Sequence, residues 1–414
     1  METIFYHDNF GNPLTLDIIP VQIKEAGAKE SFKDFNFSEE QKNYLTRYIN
    51  PERNSRMNSG LPQNEVWKIK WSSKIDSSSI PWYILIKDDR LIVQNESGWQ
   101  LFDTAGNLIS SGLRAEGDIV INKSDKSFYL NDPSGYIQNV DLNSGKRKFY
   151  VYPYLGKGFK RSVIYTNGNE IIESGYELPV MTHNSTIKPP DMNILEQINI
   201  DNPVETDEDG ILKPPVQSKN LLVKAGSIIT AIHDSTVIIA APDHIYFLDA
   251  DLNIIKDLSG NFTPLDMSID EEMRIYLLAG IDRNEQFISE FWLINSEGNL
   301  ICKTEIPALD LNNLTPPVIG YNHTAYIAYN EKIVAVAPTG KILWENYIQK
   351  PLAGIAVVKD YLFLSEGNLL TAFDSNGERR FFYQFDDELS TSPLLVNNEI
   401  FVATRKNLYC IVPR

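Results

Sequence analysis

The stretch Ala335-Val336-Ala337-Pro338-Thr339-Gly340-Lys341-Ile342-Leu343-Trp344 decides the fold. It reads as a strand that runs into a tight turn at Gly340, followed by a strand that ends in a large aromatic. A degenerate copy follows at Ala372-Phe373-Asp374-Ser375-Asn376-Gly377-Glu378-Arg379-Arg380-Phe381. This corner is one piece of a four-stranded β-propeller blade, and self-similarity at a fixed period is the mark of a repeat array.

Working outward, the chain from about Glu65 sorts into copies of that corner. The first unit has apolar runs at 82–86, 91–93, 100–103 and 106–109, separated by Asp, Ser and Gly. The second has 118–121, 127–130, 137–141 and 149–151, and later units continue to 408–411. Short β-branched and aromatic runs between turn residues are strands. The corners recur every ~37 to 46 residues, which predicts an all-β propeller of about eight four-stranded blades, with seven as the alternative. The last unit stops after three strands. Val66-Trp67-Lys68-Ile69-Lys70-Trp71 resembles the closing strand at Ile342–Trp344 and is expected to supply the fourth. Borrowing it shuts the ring and removes the exposed edges at the seam. Trp67 and Trp71 are therefore the closure candidates.

Residues 1–64 differ from the rest and form an N-terminal extension, with 65–414 the propeller. Ser38 and Gln41 make a capping box, Glu39 and Glu40 suit the positive end of a helix dipole, and Tyr44, Leu45, Tyr48 and Ile49 share one face. A helix is expected near 39–49, ended by Pro51. The polar run 53–64 reads as a linker. A second irregularity, 176–219, contains Lys188-Pro189-Pro190 and Lys213-Pro214-Pro215 and reads as a long loop insertion. Its acidic tip, Asp207, Glu208 and Asp209, is the candidate partner-binding loop, because loops on a rigid scaffold carry contacts more often than strands do.

The unit Leu-x-Ala-Phe-Asp-x-x-Gly-x-x-x-aromatic at Leu370–Phe381, with further copies at Val140–Lys146 and Leu101–Leu108, resembles the repeat of pyrroloquinoline-quinone-type propellers. The resemblance covers about 65–414. In that family the aromatic after the glycine strand docks between neighbouring blades, which implies that role for Trp344, Phe149 and Phe381. The family includes quinone-dependent dehydrogenases and non-catalytic scaffolds, and this chain resembles the non-catalytic branch. A quinoprotein enzyme needs a vicinal-cysteine clamp or its equivalent and a calcium-binding acidic set. Here Cys302 and Cys410 stand in different units, and no calcium set falls in register.

The residues themselves carry little chemistry. His7, His183, His233, His244 and His323 have no metal-type spacing. Asp103, Asp141, Asp249 and Asp374 recur at one blade position, where Asp accepts backbone N–H bonds and stabilises a tight turn. Trp99, Tyr136 and Tyr176 suggest a carbohydrate groove or, more simply, packing between blades. The net charge of −17, from 38 basic and 55 acidic residues, repels phosphate backbones and anionic lipid surfaces. Nucleic-acid binding and membrane insertion are not expected. The sequence as given shows no signal peptide, lipoprotein cysteine or transmembrane run, so the expectation is cytoplasmic.

Taken together, these features predict a non-enzymatic scaffold for a protein partner with a basic patch, requiring no cofactor and no metal. The alternative is a propeller that binds or processes a glycan or small metabolite at its central channel. A quinone-dependent oxidoreductase is a distant third. Neither the partner nor the oligomeric state is written in the residues.

Overall fold

The computed structural model describes residues 6–7, 13–14, 56–57 and 67–413, except for 77, 114, 123, 133–135, 152–158, 168–169, 178–179, 182–186, 189–191, 201–215, 225–228, 234–235, 250, 284–285, 307–314, 330, 350–351 and 360; in the strands from Val151 to Ile229 the backbone alone is described. These residues fall into two units, Met1–Phe37 and Ser38–Arg414. In the first, Tyr6–His7 pairs with Pro13–Leu14 antiparallel. The second is an all-β propeller of meander sheets, and no helix occurs among its described residues. The helix expected near 39–49 lies outside the described residues.

Strands are lettered a to d within each sheet, in order of pairing. Sheet one comprises Pro81–Lys87, Arg90–Asn95, Gly98–Asp103 and Leu108–Leu113. Sheet two runs from Glu116–Ile121 to Arg147–Val151, and sheet four from Ile229–His233 to Ile254–Ser259. Sheet five runs from Thr263–Ile269 to Leu300–Ile306, and sheet six from Val318–Ile319 to Ile342–Tyr347. Then come Leu352–Val358, Tyr361–Glu366, Leu369–Asp374 and Arg379–Gln384, joined on the a-strand side by Arg56–Met57. The seam sheet combines Leu394–Val396, Glu399–Ala403 and Asn407–Pro413 with the early strand Trp67–Lys74.

Seven sheets thus hold four strands, and the sheet built on Leu352–Val358 holds five. The expectation of about eight four-stranded blades is corrected to the alternative count of seven four-stranded ones: the run 53–64, read as a linker, contributes the fifth strand of the remaining sheet at Arg56–Met57.

Sheet three corrects a second expectation. Its strands are Phe159–Asn167, Glu170–Glu177, Met192–Ile200 and Val216–Lys224, paired in that order. Met192–Ile200 falls within, and Val216–Lys224 begins within, the stretch 176–219 that reads as a loop insertion. The apolar spacing of Met192-Asn-Ile-Leu-Glu-Gln-Ile-Asn-Ile200 is strand-like, but prolines at 189–190 and 203 mask it. Among the described residues between strands b and c, Val180–Met181 pairs with Ile187–Lys188 in a small hairpin. Asp207, Glu208 and Asp209 lie outside the described residues.

Burial orders each sheet radially. The b strand Tyr361–Glu366 is almost wholly buried, whereas its d strand Arg379–Gln384 alternates exposed and half-buried residues. Sheet six repeats this contrast between Ala325–Tyr329 and Ile342–Tyr347. Strands d are therefore at the rim, and strands a, which approach one another between sheets, line the axis. Apolar side chains fill the spaces between sheets. Leu85 and Leu101 of sheet one meet Phe128 and Val140 of sheet two, and Phe247 of sheet four meets Met267 of sheet five. At the seam, Phe401 and Ile411 join one cluster with Phe363 of the five-stranded sheet and Ile86 of sheet one.

Trp67–Lys74 pairs antiparallel along the whole of Asn407–Pro413, with Cys410 opposite Trp71 and Pro413 opposite Trp67. The Trp71 ring packs 6.0 Å from Phe401. Trp71→Ala removes an aromatic from a partly buried joint and is expected to cost about 3 kcal/mol. Urea unfolding checks this, and a loss smaller than about 1 kcal/mol contradicts the seam as a cohesive element.

Candidate interaction surfaces

The c–d corner recurs with a left-handed residue in six sheets. In the five-stranded sheet the Gly377 N–H donates to Asp374 O at 3.0 Å, and the Asp374 N–H donates to Glu378 O at 2.9 Å. Gly377 has φ +79°, and Gly106, Gly145, Gly298 and Gly340 take the same left-handed conformation at the equivalent place. A type I turn followed by a left-handed residue produces a bulge, and the c–d register shifts beside the turn in six sheets. The turn aspartates do local work: Asp374 accepts from the N–H groups of Asn376 and Glu378, each at 2.9 Å. Asp103 accepts from the Asn107 N–H at 2.8 Å, and Asp141 accepts from the Ser144 N–H at 2.9 Å.

Five of these corners are met by the d strand of the preceding sheet. Trp344 of sheet six donates its indole Nε1–H to Ser375 O at 2.9 Å, and Asn346 donates to Gly377 O at 2.7 Å. The early strand does the same to sheet one. There the Trp71 indole donates to Thr104 O at 3.0 Å, and the Ser73 hydroxyl donates to Gly106 O. A Cβ on Gly377 would stand 2.6 Å from Trp344 Cδ2, and one on Gly106 2.8 Å from Trp71 Cε3. Glycine is thus required twice over at these corners, by the backbone conformation and by the indole lying on it.

The structure places the other aromatics differently. Phe149 lies 6.4 Å from Tyr129 of its own sheet. Phe381 packs against Phe363 and, at 5.3 Å, against Trp67 across the seam. At three corners the place of the aromatic is taken by residues that the sequence did not advertise. Cys302 abuts Gly340, with the Thr304 hydroxyl donating to Gly340 O at 2.7 Å; Leu258 abuts Gly298, and Ser110 abuts Gly145. The signal was a pair at i and i+2 on the d strand, whatever its chemistry. Trp99 is buried against Gly112 and 5.1 Å from Phe128, so it is core and not part of a groove, while Tyr136 stands 5.6 Å from Tyr150.

Polar side chains at the a–b turns are committed to their neighbours. Asp270, fully buried, accepts from Arg274 Nε at 2.7 Å, from the Tyr276 hydroxyl at 3.0 Å and from the backbone N–H of Glu272 and Arg274. His323 of sheet six approaches the same carboxylate at 3.4 Å and also meets Arg274. The result is a clamp between sheets, with the carboxylate's lone pairs already occupied, not a poised base. Lys87 of sheet one donates to Asn122 O and Asp125 O of sheet two, each at 2.6 Å. Burial pulls its ammonium below the ordinary lysine range. Burial also pushes the Cys410 thiol up to about 12 and raises that of Cys302, which leaves neither as a nucleophile at neutral pH. Among the described residues no cluster of His, Cys, Asp and Glu has the arrangement of a metal site.

The rim is apolar where the d strands begin. Ile254 and Ile255, Leu300 and Ile301, and Ile342 and Leu343 occupy matching positions on sheets four, five and six, each between 42% and 62% exposed. They stand on strands whose outer edge has no partner in the sheet. They are exposed apolar pairs that recur at one position of three successive sheets.

A family profile described as "Outer membrane protein assembly factor BamB" matches residues 329–412, the part of the chain with the clearest corners. No curated protein matches. Among solved structures, BamB from Moraxella catarrhalis is similar at 13% identity with a TM-score of 0.57, over 84% of this chain and 98% of that one. A quinohemoprotein alcohol dehydrogenase from Pseudomonas putida HK5 is similar at 10% identity with a TM-score of 0.58, over 90% and 80%. Sqt1 of Saccharomyces cerevisiae is similar at 9% identity with a TM-score of 0.57, over 82% and 98%. The chain therefore carries the pyrroloquinoline-quinone-type repeat and its propeller fold, a fold shared by an assembly factor and by dehydrogenases.

Two outcomes follow for the corners. Gly377→Ala forces a Cβ into the Trp344 indole and is expected to cost about 1–3 kcal/mol in denaturant unfolding; a neutral result contradicts the grip. Partial burial works to raise the Asp103 and Asp141 carboxyls, but hydrogen bonds from Asn107 and Ser144 outweigh it and hold both below the ordinary range. Their stabilisation is thus complete above the unfolded carboxylate pKa of about 3.9 and is lost as pH falls through the lower folded values. Thermal midpoints should drop in that acid limb, and Asp103→Asn with Asp141→Asn should flatten it; an unchanged limb contradicts the assignment.

Proposed function

We propose that this chain is a non-enzymatic platform that holds a protein partner within a larger assembly. The observation that carries the reading is the set of exposed apolar pairs at the start of the d strands of sheets four to six, on a ring whose Lys87, Asp270, Arg274 and His323 at the a–b turns are bonded internally. Exposed apolar residues repeated on a stiff scaffold favour a protein partner over a small solute. The five-stranded sheet takes its place in the ring between sheet six and the seam sheet, so the platform is continuous. The match of residues 329–412 to an assembly-factor family supports the same reading. Fold likeness to dehydrogenases does not weigh against it, because activity lives in sites and not in folds.

In this reading the partner carries a basic patch that complements the net charge of −17, which speeds encounter and excludes like-charged surfaces. The acidic segment Asp207, Glu208 and Asp209 serves as a second contact, and the chain works in the cytoplasm. No helix among the described residues is long and apolar enough to cross a membrane.

The test is capture of binding proteins from native extract by the purified chain, at about 0.05 M and about 0.5 M salt, beside the variant Ile255→Lys/Ile301→Lys/Leu343→Lys. A partner retained at low salt, weakened at high salt and lost on the variant is the expected result. Equal capture by the variant, with its circular dichroism unchanged, contradicts the platform.

A further inference from the structure

The strand Leu352–Val358 is a wall of the axial channel, and both of its side-chain faces are already used. Ile355 and Val357 belong to the cluster shared with sheet six, while Ala356 and Val358 belong to the one shared with the seam sheet. One backbone edge is paired with Tyr361–Glu366. The opposite edge points to the axis with its N–H and C=O groups, a template for pairing with a further strand. Arg56–Met57 lies along that edge in parallel register, Arg56 opposite Val357 and Met57 opposite Val358.

The surrounding sequence suits the task. Pro51 and Pro62 bracket a window free of proline, so every residue between them keeps its donor. Residues 53–60 carry two arginines and no acid, in a chain of strong negative charge. The route also closes. Met57 reaches the end of strand a at its a–b turn, and Trp67 begins the outermost strand of the adjacent seam sheet at the same end. Four or five strand spacings separate the two, about 19–24 Å. Nine residues at full extension reach about 30 Å, more than that distance.

We propose that the axial edge of Leu352–Val358 is a strand-addition site for an extended peptide, and that the chain's own Arg56–Met57 segment takes it in cis. Recognition is by main-chain hydrogen bonds in parallel register, the chemistry of strand addition at an exposed sheet edge. Held this way, the segment covers the channel wall at the place where the metabolite-binding alternative needs a free surface. The inference stands apart from the partner platform at the rim, and either can fail alone.

Hydrogen–deuterium exchange on the full chain tests it, beside the variant Arg56→Pro/Met57→Pro, which removes the segment's N–H toward Leu352–Val358 whichever of the two residues faces that edge. The expected result is exchange about tenfold or more faster in 352–358 of the variant, with sheets four and five unchanged, and protection restored by adding a synthetic peptide of residues 52–60. Unchanged exchange in 352–358 overturns the proposal, and so does failure of the peptide to restore protection. If the variant does not fold, wild-type chain carrying photo-methionine decides the matter. Cross-linking from position 57 to residues 352–366 within one chain supports the site, and cross-linking only elsewhere overturns it.

Discussion

A ring of twisted sheets coheres only if each sheet holds the next, and here the hold is an outer strand laid on the neighbour's c–d corner. The indole of Trp344 hydrogen-bonded to Ser375 O, with its ring flat on Gly377, shows the components at their clearest. The Asp-x-x-Gly sequence sets up the turn, the left-handed glycine makes the bulge, and the missing Cβ leaves the seat for the side chain. Where that side chain is Cys302, Leu258 or Ser110, the seat survives with a smaller occupant. A partner two residues on, such as Thr304, Asn346 or Ser73, supplies a hydrogen bond to the glycine carbonyl.

The same hold explains why an early strand must travel to the end of the chain. Asn407–Pro413 has no strand after it to complete the seam sheet or to grip sheet one. Trp67–Lys74 does both: it pairs along the whole seam and lays Trp71 and Ser73 on the corner at Thr104 and Gly106. A chain closed in this way cannot lose its N-terminal side without opening its C-terminal side, which couples distant parts of the sequence in one folding unit. The Asp270, Arg274 and His323 clamp adds a polar lock between sheets five and six.

How much of this was legible in the residues depended on whether the code was local. The corners were readable because Asp374 and Gly377 satisfy the turn by themselves, and the borrowed strand was readable because Val66–Trp71 repeats the pattern of Ile342–Trp344. Strands Met192–Ile200 and Val216–Lys224 were hidden by the prolines and acids that flank them. Cys302 and Leu258 were hidden for another reason: their role is defined by a glycine about forty residues away, not by their own chemistry. Arg56–Met57 joins its sheet through the main chain, which leaves no side-chain signature. The exposed rim residues were present as Ile254-Ile255 and Leu300-Ile301, but only the radial order of the strands shows that these pairs face outward.

The central claim is that residues near position 70 and residues near position 400 share one sheet within one molecule. Lys70 and Glu399 form an ion pair across that seam, close enough for direct amide formation. Zero-length carbodiimide coupling of the monomeric protein, read by peptide mass spectrometry, should join Lys70 to Glu399 inside a single chain. Coupling found only between two chains, or none at this pair while other surface pairs react, would contradict the closed ring.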